Sequence, residues 1–266
     1  MPDATVDRDG HVLVVTMNRP RRYNALTPTM AVRMLDAFVE ASADDEVRCI
    51  VLTGADGNFS SGADLRAMNG DRDDTDADAG IAARLRADPD LVWKGTLGTY
   101  RPTKPIVAAV EGVAMAGGVQ LLLGTDVRVA AQSARFGITE ACWSLYPLGG
   151  LAARLPREIP YAIAADLLLT GRKFGAAEAL RLGLVSHVVP DGTALETAME
   201  IATAIAANGP LAVEALVRTL HETEGMTDLE AQAFEHEYGQ AVFRSRDARE
   251  GPRAFVERRT PVYGRS

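Results

Sequence analysis

Apolar residues along this chain come in short runs, separated by polar or glycine-rich stretches. HVLVVTMN (11–18) alternates closely enough for a strand, and RPRRYNALT after it is a polar turn. Thr27-Pro28 signals a helix start, an N-cap followed by proline at the first helical position. The helix MAVRMLDAFVEASAD then carries Met30, Met34, Ala37, Phe38 and Ala41 on one face. RCIVLTG (48–54), KPIVAAVEG (104–112), DVRVAA (126–131) and LGLVSHVVP (182–190) are apolar runs of strand length. GADGNFSSGADLRAM predicts a tight loop entering a helix near Asp64, and AMAGGVQLLLG (114–124) a tight turn and a short helix. ARFGITEACWSLYPLGGLAARLP is loop-rich. From Tyr161 onward the pattern is mostly helical, punctuated by Gly171, Gly183, Gly192, Gly209-Pro210 and Gly225. Strands interleaved with helices, then helices alone, predict an α/β core and a helical C-terminal region. No repeat of fixed period is present, and no strand-to-helix turn carries a G-x-G-x-x-G or a Walker pattern.

The 266 residues suffice for one large domain or two small ones. Apolar residues at 47% and charged residues at 24% are soluble globular composition. A formal net charge of −8 argues against a nucleic-acid partner, since phosphate backbones need a basic face. It leaves room for a local basic pocket. Two cysteines, Cys49 in an apolar run and Cys142, are too few for a disulfide framework and lack zinc spacing. The histidines at 11, 187, 221 and 236 lack it too, so no metal is expected. The start has no signal-peptide pattern and no run reaches the roughly 20 apolar residues of a membrane span. The expectation is a cytoplasmic protein with no membrane partner. Asp71 to Asp78 holds five aspartates in eight residues, but a calcium loop counted from Asp74 would place Ala79 and Leu85 where glycine and glutamate belong. A solvated loop is expected there.

Two turns suggest chemistry. FSSGADL (59–65) and AMAGGVQ (114–120) each lie between a buried strand and a helix start. Small residues let backbone approach a ligand closely, and the first N–H groups of a helix have no internal partner. Two such turns could aim two donors at one oxygen, an oxyanion hole contributing about 3 kcal/mol per donor. Spacing alone equally allows two turns that are merely tight.

The motifs NRPRRYNAL, FSSGADL, PIVAAVEGVAMAGGVQLLLGTDVRVA, ARFGITEA and LTGRKFGAAEALRLGLVSHVVP stand in order, and together they resemble the crotonase (enoyl-CoA hydratase/isomerase) family over roughly residues 11–260. EACWSLYPLGG further resembles actinobacterial members named as enoyl-CoA hydratases. The resemblance implies an α/β fold, a crotonase-like spiral of ββα units with a C-terminal helical trimerisation region. The expected division is a spiral core with the acyl-CoA site over 1–200 and a helical region over 201–266. Acyl-CoA thioesters are the implied ligands, with coenzyme A part of the substrate and no further cofactor. The implied assembly is a homotrimer or hexamer. The N–H groups of Ala63 and Gly117 match those that hold the thioester oxygen. Asn24, Ala25 and Leu26, with Asp64, Leu65 and Arg66, match segments lining the CoA site. Ser61, Met115, Thr139, Trp143 and Leu148 complete the expected substrate-binding set. Arg66 and RPRR at 19–22 are candidate partners of CoA phosphates, against a plain solvated turn.

Family hydratases carry two glutamates, matching Gln120 and Glu140. Here the first is an amide, which neither donates nor takes a proton near neutral pH. Glu140 is retained, within FGITEA, where the family more often has proline before the glutamate. A carboxylate in an apolar site has a raised pKa suited to proton transfer. Three readings follow: a hydratase with Glu140 as sole acid/base and Gln120 positioning water, with weak activity; a Δ3-Δ2-enoyl-CoA isomerase using Glu140 alone; and a non-catalytic acyl-CoA binder. The first is preferred, and Gln120→Glu is expected to raise hydration. A serine nucleophile in FSSG lacks the G-x-S-x-G context, and Cys142 is expected to pack. Trp143 and Tyr146 wall the acyl pocket or fill the core. Straight-chain, aromatic and sterol-derived acyl groups all remain open.

Overall fold

The spiral is built from turns that each lay one strand in a large sheet, a shorter segment in a second sheet, and then a helix. The computed structural model describes residues 2–71 and 78–266. The large sheet has six strands: β1 (Ala4–Asp9), β2 (Val12–Met17), β3 (Cys49–Gly54), β4 (Ile106–Val110), β6 (Val127–Ala131) and β9 (His187–Val189), adjacent in that order. β1 runs antiparallel to β2, and the remaining neighbours are parallel. The second sheet orders β5 (Val113–Met115), β7 (Arg135–Gly137) and β8 (Lys173–Gly175), and the single bridges Leu26–Ala63 and Ser60–Ala114 extend the same layering to earlier turns.

A helix follows each second-layer segment. α1 (Pro28–Ala43) begins where expected, with the Thr27 hydroxyl accepting the Met30 N–H at 3.0 Å and Pro28 in the first turn. Its predicted face of Met30, Met34, Ala37, Phe38 and Ala41 is buried throughout. α2 (Leu65–Met68), α5 (Gly117–Leu122), α6 (Leu151–Glu158) and α8 (Ala176–Leu182) belong to later turns. α3 (Ala79–Ala87) and α4 (Leu91–Gly95) are inserted between β3 and β4, and α7 (Tyr161–Thr170) follows α6. Alternate strand residues divide the core. Ile50, Leu52, Ala108 and Val110 face the inner helices, while Cys49, Val51, Val107, Ala109 and Val129 meet Ala194, Ala198, Ala202 and Ala206 of α9 (Ala194–Ala206). An alanine stripe lets this helix lie close on the sheet. The expected division at 200/201 falls within α9. After it come α10 (Pro210–Glu222), α11 (Asp228–Arg244) and α12 (Asp247–Glu257).

The sequence reading omitted β1 and the three-residue strands β5, β7 and β8, which it treated as loop or helix. β1 is polar because it is an edge strand of which only Ala4 is buried. The aspartate-rich stretch lies largely outside the described residues, although Asp71 contacts Arg22 at 3.4 Å and Asp78 caps α3. Among the described residues no single helix is long and apolar enough to cross a membrane.

Candidate active site

Successive turns of the spiral deliver their second-layer ends to one cavity of about 1120 Å³. Ala63 comes from the first of the two glycine-bearing turns. Leu26 donates to the Gly62 carbonyl at 2.8 Å and accepts the Asp64 N–H at 3.1 Å. In a parallel bridge these bonds flank Ala63, so its own N–H projects away from Leu26. Gly117 is the first residue of α5, so its N–H has no intrahelical partner. Among the described residues neither N–H has a protein acceptor. The two turns touch: a Cβ added to Gly62 would stand 2.9 Å from the Gly117 nitrogen, and one added to Gly117 3.5 Å from the Ala63 nitrogen.

This contact explains the paired glycines. Ser60 and Ala114 form a bridge, and a Cβ at Gly118 would meet the Ser60 carbonyl oxygen at 2.5 Å. Gly118 is therefore glycine so that α5 can start against the neighbouring turn. Gly117 is not crowded in this way, and a methyl there would instead stand over the Ala63 donor. The turn between them and β5 is strained, with Ala116 at φ 51° and ψ −119°. Such a conformation costs about 1–3 kcal/mol and persists only where surroundings impose it. The Ala116 N–H is held by the Gly137 carbonyl at 2.7 Å.

Glu140 opens a short 3-10 helix, Glu140–Trp143, directly after β7 and Thr139. It is half-buried, its Oε2 is enclosed without a hydrogen-bond partner, and burial pushes its carboxyl above the usual glutamate value. Gln120 lies one turn into α5 and is 3% exposed. Its Nε2 donates to the Thr96 carbonyl at 2.8 Å, and Gly149 packs against the amide, where a Cβ would come 2.8 Å from Gln120 Cδ. With Nε2 engaged, Oε1 remains as an acceptor. Thr96 follows α4, whose Gly95 is pressed on α1 so tightly that a Cβ would overlap the Ala31 carbonyl.

The cavity lining includes Ser61, Ala63, Asp64, Leu65, Met115 and Gly117, and beyond them Gln120, Thr139, Glu140, Trp143 and Leu148. Three expected residues stand outside it: Asn24, Ala25 and Arg66. Asn24 is wholly buried at φ 52°, its side chain accepting the Arg19 N–H and donating to the carbonyls of Ala55 and Asn58. Its side chain holds the turn in shape. Ala25 is buried beside it, and Arg66 points to solvent from α2. Within RPRR, Arg19 is buried, paired with Asp64 at 2.8 Å and bonded to the Ala25 carbonyl at 2.8 Å. Burial raises the Asp64 carboxyl, but the Ala67 N–H and Arg19 outweigh this and hold it below the usual range. Arg21 is exposed, and Arg22 reaches Asp71 at 3.4 Å among the described residues.

Trp143 and Tyr146 line the cavity at 67% and 70% exposure, so they are wall and not core. Cys142 also lines it, with Sγ close against Gly171. The hydroxyls of Ser60 and Ser61 donate to the carbonyls of Asn24 and Arg22, and no histidine lines the cavity among the described residues. That removes the context a serine nucleophile needs. Sequence reasoning missed Val92, Trp93 and Thr96 on and beside α4, and Leu85 on α3. No motif marks them; only the packing of α3 and α4 on α1 brings them to the site. Among the described residues no group of side chains is arranged to hold a metal.

The family profile described as Enoyl-CoA hydratase/isomerase matches residues 7–266. The enoyl-CoA hydratase EchA19 of Mycobacterium tuberculosis is 53% identical over 262 residues, 98% of this chain and 96% of that protein. The carnitinyl-CoA dehydratase of Salmonella typhi is 36% identical over 264 residues, with 96% of each chain covered. Among solved structures, enoyl-CoA hydratase EchA1 of Mycobacterium marinum superposes with a TM-score of 0.89 at 36% identity, covering 100% of both chains. An enoyl-CoA hydratase of Mycobacterium tuberculosis H37Rv gives 0.86 at 37%, again over 100% of both. The chain belongs to the enoyl-CoA hydratase/isomerase family and is an enzyme of its hydratase-type lyase class.

Proposed function

We propose that this protein adds water across the double bond of a 2-enoyl-CoA thioester, with Glu140 as the acid/base. The observation that carries this reading is the enclosed, unpartnered Oε2 of Glu140 in the same cavity as the orphan N–H groups of Ala63 and Gly117. The thioester oxygen sits between those two donors, where negative charge develops as water attacks the β-carbon. Glu140 takes a proton from the water as the C–O bond forms. It then delivers a proton to the α-carbon, so one water is consumed and the carboxylate is regenerated. Gln120 Oε1 accepts a hydrogen bond from the water and orients it. The wall formed by Leu85, Val92, Trp93, Trp143 and Tyr146 suits an apolar acyl group. Coenzyme A enters as part of the substrate and no other cofactor takes part. The working assembly is a homotrimer or hexamer.

The test is turnover of crotonyl-CoA with products scored by mass. The expected outcome is gain of one water, lost in Glu140→Ala. The amide at Gln120 favours a second reading, since moving a double bond from the 3 to the 2 position requires only one base. If crotonyl-CoA binds without gaining water, conversion of a 3-enoyl-CoA decides for the isomerase, and its absence leaves a non-catalytic binder.

A further inference from the structure

A second cavity of about 320 Å³ shares no lining residue with the first. It lies where the turn after α5, the helix α6 and the helix α10 meet. Four arginines line it, Arg101, Arg128, Arg154 and Arg157, together with Asp126, Glu158, Glu224 and His221. Each carboxylate is already engaged. Asp126 accepts the Ile106 N–H at 2.6 Å and meets His221 Nε2 at 2.7 Å. Glu158 pairs with Arg128 at 2.6 Å, and Glu224 with Arg157 at 2.6 Å.

Arg101 and Arg154 are placed differently. Among the described residues Arg101 makes one hydrogen bond, to the Leu123 carbonyl at 3.3 Å, and Arg154 bonds the carbonyls of Leu97 and Gly98 at 2.9 and 2.5 Å. Among the described residues neither has a carboxylate within ion-pair distance. Burial, then the neighbouring Arg154 charge, pushes the Arg101 guanidinium down to about 10, although Asp126 and Glu224 offset part of this. Burial lowers Arg154 as well. Two partly buried guanidinium groups whose neighbouring carboxylates are already engaged by other partners have no direct ion pair among the described residues, and an anion between them would complete the site.

We propose that this cavity binds a small oxyanion, a phosphate or carboxylate group held by the forked donors of Arg101 and Arg154, with any short carbon part against Leu123 and Leu220. The site is separate from the catalytic cavity and does not depend on the reaction proposed there.

The test is thermal unfolding and calorimetric titration at constant ionic strength, with inorganic phosphate and succinate as separate probes and sodium chloride as the control. The expected result is a saturable rise in Tm with at least one probe and none with chloride. Phosphate alone identifies a phosphate ligand, and succinate alone a carboxylate. Arg101→Gln, which gives up a single protein hydrogen bond, is expected to weaken binding at least about tenfold. Arg101→Lys keeps the charge without the fork and is expected to weaken it less; it carries the comparison should Arg101→Gln fail to fold. No saturable binding of either probe, or equal binding by the Arg101 variants and the parent, overturns the proposal. So does an assembled structure in which a neighbouring copy's carboxylate occupies the Arg101 fork.

Discussion

Glu140 titrates differently in the folded and unfolded chains, and that difference sets a sign. Burial lifts its carboxyl above the ordinary value of 4.5 when folded, so the fold favours the protonated form. Below 4.5 both states are protonated and this preference is fully retained. As pH rises through the folded-state value, ionisation must occur in a half-buried site where the residue's own backbone N–H offsets only part of the burial, and stability is lost. Glu140→Gln removes that titration. It is expected to melt with the parent at pH 4 and above it at pH 8, while hydration falls roughly 10²–10⁴-fold. Equal melting at both pH values would contradict the burial argument. The acid limb of kcat/KM for the parent is expected above 4.5, since water activation needs the carboxylate. Gln120 responds in the opposite sense. A glutamate there loses the donor that faces Thr96, unless it is protonated. Gln120→Glu is expected to raise hydration while lowering stability by about 1–3 kcal/mol, more at pH 8 than at pH 5. A variant as stable as the parent at both would mean that the Thr96 bond does not hold the amide.

At the scale of elements, the paired glycines separate packing from chemistry. Gly118→Ala drives a methyl into the Ser60 carbonyl, so the start of α5 must move; a loss of about 1–3 kcal/mol in denaturant unfolding is expected. Gly117→Ala meets Leu26 Cδ1, the end of a flexible side chain, at 3.3 Å, and no backbone atom closer than the Ala63 nitrogen at 3.5 Å. It is expected to fold normally and to lose about 10²–10³-fold in turnover, because the methyl fills the oxyanion position. If the effects were reversed, the assignment of the two donors would be wrong. The same elements show what a sequence can carry. β2 was legible by its alternation, and β3, β4 and β6 as apolar runs, because parallel strands buried on both faces have no polar alternation to dilute them. β5, β7 and β8 were not, since three residues hold no period. The hairpin of β1 was signalled only by Asp9-Gly10, inside an otherwise polar stretch. The turns at Ala63, Gly117 and Glu140 were legible through glycine spacing and resemblance. Thr96 and Trp93 were not, because long-range packing alone brings them to the cavity.

Across the whole molecule, the C-terminal helices stand apart from the sheet core. α11 has no buried residue, and Leu229, Phe243, Phe255 and Val256 are each 78–84% exposed. Apolar side chains presented in this way mark an interaction surface. Light scattering is expected to give a mass that is a multiple of three chains, and Phe243→Glu to lower it without changing the circular dichroism of the core. A monomeric parent would overturn the proposed assembly. By contrast, α9 lays its alanine stripe on buried side chains of four strands, β2, β3, β4 and β6, and belongs to the core.

The spiral also separates what can change from what cannot. In the proposed reaction, proton handling and charge stabilisation come from the ends of regular turns, where a methyl group is enough to disturb the geometry. The proposed acyl wall comes from α3, α4 and the segment after Glu140, inserted between turns. An ancestor could therefore lengthen, shorten or exchange that wall and acquire a new thioester without rebuilding its reaction. A laboratory seeking altered selectivity would find its libraries best placed in residues 79–94 and 141–148, leaving Gly95 as it is.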